Sequence, residues 1–161
     1  MMRTGWPLFV VLSGCAACFQ SQEASDQAQL RRHFAIPADA RVVEYKGFPE
    51  TSGFGQREGL HLSARYHLTP GQMSAWAASA RAKGWESLPP PPEVAQRMAF
   101  FGGEKLIGVR DGLYLCRTAG DDVLHAILTK PCAAVEKPND ILMGAADTGT
   151  GEIMVTVSSS Y

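Results

Sequence analysis

The chain has 161 residues, with 15 Lys+Arg against 16 Asp+Glu, a formal net charge of −1 and 45% hydrophobic residues. That length suits one domain, and that apolar content excludes wholesale disorder. Balanced charge removes the basic footprint of a nucleic-acid binder, so no nucleic-acid partner is expected. No apolar run reaches the roughly 20 residues needed to span a bilayer.

Arg3 is the only charged residue before Cys15, and the apolar stretch Trp6–Leu12 follows it. A cationic start, a short apolar segment and small residues before a cut site describe a secretory signal. Its last residues, Leu12-Ser13-Gly14-Cys15, resemble the lipobox of bacterial lipoproteins. The resemblance implies that the chain is cut before Cys15, whose thiol carries a diacylglyceryl group and whose new amino group is acylated. Several acyl chains anchor stably where one holds only marginally. Ala16, where an Asp would favour retention in the inner membrane, implies an outer-membrane lipoprotein facing the periplasm. The small polar residues up to Gln29 bury little and suit a tether. The expected division is a signal over 1–14, a lipidated tether over 15–29 and a globular domain over 30–161.

In chain order, Ser25 is placed to cap a short helix through Leu30 and Phe34, which Pro37 ends. Arg41–Tyr45 reads as a strand and Phe48–Gly59 as a loop. Leu60–Leu68 alternates cleanly, with Leu62, Ala64 and Tyr66 on one face and His61, Ser63, Arg65 and His67 on the other. Thr69-Pro70-Gly71-Gln72 is a capping box with Pro at the first helical position, opening a helix over 70–83 that Gly84 ends. Four prolines, Pro89–Pro92, make an extended connector to a second short helix over 93–100. Strands follow over 105–109, 113–118, 123–129, 141–146 and 153–158. Hairpin-joined strands with the helices grouped in one stretch predict a single α+β domain, mainly antiparallel sheet with one or two short helices packed on it.

Four cysteines leave three after Cys15. In an oxidising compartment Cys116 and Cys132 are the expected disulfide, worth on the order of 3 kcal/mol for a loop of about 16 residues. Cys18 is then left over. A competing arrangement takes Gly120-Asp121 as a two-residue turn, which sets Cys116 opposite His125 in a thiol–imidazole dyad suited to nucleophilic catalysis. His61 and His67 lie about 20 Å apart along one strand and cannot share a metal by themselves. No zinc-type spacing and no cofactor motif is present, so neither a metal nor a cofactor is expected. Asp147-Thr148-Gly149-Thr150 matches the aspartic-protease motif, yet one copy near the end of the chain reads as a hairpin loop.

Phe54, Arg57 and Glu58, together with His61 and Arg65, are the candidate binding residues, because aromatic and Arg side chains on a loop suit protein recognition. The expected function is a non-enzymatic, lipid-anchored module that binds a protein of the cell envelope, as assembly factors, inhibitors or immunity lipoproteins do. The alternatives are a small envelope hydrolase or thiol enzyme using Cys116 and His125, and a structural envelope lipoprotein without one specific partner.

Overall fold

Ile141–Ala146 contains no polar residue, so a strand built from it has no face to offer water. In the computed structural model, which describes residues 14–49, 59–100, 103–119, 130–132 and 140–160, that run becomes an interior strand buried on both sides. The strands are β1 (Arg41–Pro49), β2 (Gly59–His67), β3 (Glu86–Ser87), β4 (Gly112–Ala119), β5 (Lys130–Pro131), β6 (Asp140–Asp147) and β7 (Glu152–Ser160). They form one sheet in the order β1-β2-β7-β6-β4-β3, with β5 also on β4. Every pairing is antiparallel, and with its helices the chain is a single α+β domain.

The described residues add four helices: α1 (Gly14–Phe34), α2 (Pro70–Ala82), α3 (Pro92–Phe100) and the single turn α4 (Glu104–Ile107). None of the described helices is long and apolar enough to cross a membrane. The capping box forms as expected: Gln72 N donates to Thr69 Oγ1, and Thr69 N donates to Gln72 Oε1 at 2.9 Å. At the other end Gly84 takes φ +85°, Gly84 N donates to Arg81 O and Trp85 N donates to Ala80 O. This is a Schellman close, and it drops Trp85 into the core at 4.8 Å from the Trp76 ring.

Helices α1 and α2 cover one face of the sheet. Leu30, Phe34, Met73, Trp76 and Trp85 pack there against Leu62, Tyr66, Leu113, Leu142, Ile153 and Val157. Among the described residues the other face is covered over β6 and β4 alone, where Val94, Met98 and Leu106 of α3 and α4 meet Ile141, Met143, Ala145, Tyr114 and Cys116. Gly144 lies where the first face is tightest. A Cβ there would sit 2.8 Å from Trp85 Cη2 and 3.2 Å from Phe34 Cε1, and neither ring has a free side to move toward. Gly144→Ala is therefore expected to cost about 2 kcal/mol by overpacking. A urea midpoint equal to wild type would contradict that packing.

Three local expectations change. Helix α1 starts upstream of Ser25, so that residue lies inside the helix and caps nothing, and residues expected to form a loose tether are helical. Asp26, Leu30 and Phe34 fall four apart on one stripe and are all buried. The polar member of that stripe is accommodated because the Tyr45 hydroxyl donates to Asp26 Oδ2 at 2.9 Å. Burial, then that neighbouring carboxylate, push the Tyr45 phenol well above its usual range.

The strand expected over 105–109 is instead α4 with its exit. Gly103 N donates back to Met98 O at 2.7 Å, and a Cβ on Gly103 would collide with that carbonyl. The chain can fold onto α3 there, which turns Leu106 into the core. Five residues with three apolar ones cannot separate a strand from a helical turn by pattern alone. The proline connector is not uniformly extended either, since the Leu88–Pro89 peptide bond is cis. The strand expected over 123–129 lies outside the described residues.

Asp147-Thr148-Gly149-Thr150 is the hairpin turn between β6 and β7. Asp147 Oδ1 accepts from Gly149 N at 2.9 Å and Thr150 N at 3.0 Å. The Thr150 amide acts first and outweighs the opposing desolvation, and with the Gly149 amide and the Thr150 hydroxyl it holds this carboxyl below its usual range. A lowered folded pKa stabilises the fold above the unfolded value near 4 and loses that contribution as pH falls through the folded value. Asp147→Ala should cost about 1 kcal/mol at neutral pH. Its stability should converge on wild type as the pH falls below about 4. A gap that stays constant down to pH 2 would show that the charge is irrelevant to the turn.

Candidate functional site

The half of the second sheet face that α3 and α4 leave open lies over β1, β2 and β7. Period-two alternation puts polar side chains there while their neighbours enter the core. On β2, His61, Ser63 and Arg65 point outward between buried Leu62, Ala64 and Tyr66. On β7, Thr156 pairs with Ser63 and Met154 with Arg65. On β1, Glu44 pairs with Arg65 and Lys46 with Ser63. Lys105 of α4 stands at the boundary with the covered half, and the whole forms an open groove of about 440 Å³.

Charge is arranged within it. Glu44 contacts Lys46 at 2.8 Å and Arg65 at 3.7 Å, while Arg65 also reaches Glu152 at 3.6 Å. The hydrogen bond and charge of Lys46 act first on Glu44, with Arg65 and Lys105 adding to them, and together they hold its carboxyl below the usual range. Among the described residues, Arg65 Nε is shielded from solvent and finds no hydrogen-bond partner. Such solvent-exposed ion pairs add little to stability, so the chemical content of the groove is its donor pattern.

Of the residues singled out from sequence, the structure brings His61 and Arg65 together in this groove. Phe54, Arg57 and Glu58 lie outside the described residues. Phe48, expected to open the loop, has its backbone at the end of β1 opposite His61. Sequence reasoning missed Glu44, Lys46, Thr156 and Lys105. Glu44 and Lys46 carried a readable signal, being two apart at the end of an expected strand. Their alignment with β2 depends on a bulge between Val42 and Glu44, which shifts the strand's outward set by one residue. Lys105 carried none, because its place depends on α4 forming.

The Cys116–Cys132 disulfide is present, with a Cα–Cα distance of 5.4 Å. It corrects the alternative site. Strand β4 pairs with β5 through Arg117↔Pro131 and Thr118↔Lys130, a register seven residues away from the one that would oppose Cys116 to His125. The Cys116 sulfur is bonded, both cysteines are buried, and no thiolate remains at Cys116 to attack a substrate. His125 itself lies outside the described residues. Among the described residues, no group of three or more His, Cys, Asp or Glu side chains is placed to hold a metal ion.

The described residues define a small α+β domain with one sheet face packed under α1 and α2 and one that is half open and lined by charge. Compared with protein-family models, with curated proteins and with solved structures, the chain gives no match.

Proposed function

We propose that the protein is a lipid-anchored module of a bacterial cell envelope that holds a partner protein on the open half of its sheet, without catalysing a reaction. The observation that carries the binding reading is the contrast between the two halves of one face. Over β6 and β4 the face is apolar and covered, whereas over β1, β2 and β7 it is polar, grooved and uncovered by any described element. Rigid strands presenting alternating side chains suit recognition, since the side chains are held in place before a partner arrives.

The anchoring reading rests on Leu12-Ser13-Gly14-Cys15. With the lipid on Cys15, helix α1 would serve as the stalk. From position 15 to Asp26, where it docks on Tyr45, the axis rises about 16 Å. The Ala residue after Cys15 supports placement in the outer membrane.

Both parts are testable in intact cells. Cys15→Ser is expected to abolish incorporation of a labelled fatty acid, and a label that persists would refute lipidation at that residue. A photoreactive residue at Ser63 should give a discrete protein adduct, while one at exposed Ala78 on α2 should not. No adduct from Ser63, or the same adduct from both positions, would overturn the binding face.

A further inference from the structure

If the open face holds a partner, as proposed, the groove's own chemistry narrows what that partner can present. Three cations line it, Lys46, Arg65 and Lys105, against one lining carboxylate, Glu44, and a second, Glu152, that reaches Arg65 from beside the groove, which leaves one positive charge in excess. Glu44 is already engaged by Lys46 and Arg65. Among the described residues Lys105 takes part in no ion pair, and Arg65 Nε is shielded from solvent with no hydrogen-bond partner. On the floor Ser63 and Thr156 face each other across β2 and β7, adding hydroxyl donors between the two cationic sides.

A site with surplus donors and surplus positive charge is completed by an acceptor-only anion, and a carboxylate matches an Arg with adjoining hydroxyls. The donors are also spread out. From His61 to Arg65 the outward positions of β2 cover about 13 Å, the reach of an extended segment of about four residues. A line of donors fits a chain of carboxylates better than it fits one compact anion. We propose that the groove binds an extended acidic segment of the partner protein, with its carboxylates on Arg65, Lys105 and the Ser63–Thr156 pair. The chain as a whole carries a net charge of −1, so no overall attraction draws a polyanion to it and the binding must be local.

The test uses the full lipidated chain in non-ionic detergent. Its probes are fluorescein-labelled peptides of six glutamates, six glutamines or six lysines, each read by anisotropy. The glutamate peptide is expected to bind at least about tenfold more tightly than the glutamine peptide, and more weakly as salt rises. Lys105→Ala, an exposed change that leaves the core intact, should weaken it about fivefold. Lys83→Ala, beyond the end of α2, should leave it unchanged. Equal binding of the glutamate and glutamine peptides, or insensitivity to Lys105→Ala, would overturn the proposal. So would binding to detergent micelles doped with phosphatidylglycerol, through Arg65 and Lys105, without binding of the glutamate peptide. The adduct from Ser63 separates the two levels. An adduct without glutamate binding removes only the acidic segment, whereas no adduct removes the binding face itself.

Discussion

Phe34→Ala is expected to destabilise the domain by about 4 kcal/mol, the upper range for a truncated aromatic core residue. Phe34 is fully buried and stands edge-on to Trp85 at a centroid distance of 6.1 Å. Its carbonyl accepts from Trp76 Nε1 at 3.3 Å, and its ring edge closes over Gly144. Removing the ring leaves a cavity between α1 and the sheet that two interlocked indoles cannot refill. The same change tests whether α1 belongs to the domain. If Phe34→Ala shifted the urea midpoint by less than the equivalent of about 1 kcal/mol, α1 would be an appendage and the stripe of Asp26, Leu30 and Phe34 would not be core.

The second large effect is loss of the disulfide. Cys116 and Cys132 are separated by 16 residues, and opening that loop should cost about 3 kcal/mol by the chain-entropy account. The bridge also joins β4 to the residue following β5, and the backbone oxygen of Cys132 accepts from Arg97 on α3. Its loss is therefore expected to loosen the α3 side of the sheet before the α1 and α2 side. The paired variant Cys116→Ala, Cys132→Ala should unfold at the lower urea concentration that wild type reaches in reductant, and reductant should not lower it further. Wild type with the same midpoint in oxidising and reducing buffer would sink this assignment. Alkylation followed by intact mass gives the chemical check, with two additional labels only after reduction.

Most elements were legible because their signals are local. The alternation of 60–68, the capping box at Thr69 and the Asp147 hairpin each need only a few neighbouring residues, and each forms where expected. The misreadings share a different cause. The sequence places the start of α1 at Ser25 because the small polar residues before it bury little, and the partner that lets Asp26 enter the core, Tyr45, is 19 residues away. The register that opposed Cys116 to His125 assumed the shortest turn, although the β4–β5 pairing is set further along. In the groove, His61 and Arg65 were visible as the polar side of a strand, but nothing local aligned them with Glu44, Lys46 or Lys105.

The sequence by itself determined the α+β class, the hairpin at Asp147 and the polar face of β2, and it favoured pairing Cys116 with Cys132 over the one competing arrangement. Local propensity, period-two patterning and cysteine counting act over short stretches of chain, so a linear reading captures them. Only the tertiary structure decided which half of the sheet's second face is covered. That depends on a close approach at Gly103, the turn of α4 that comes after it, and the bulge in β1. The turn at Gly103 is local, but its packing against Met143 and the alignment of β1 with β2 join residues distant in the chain, and the groove of Lys46, Arg65 and Lys105 exists only after these have formed.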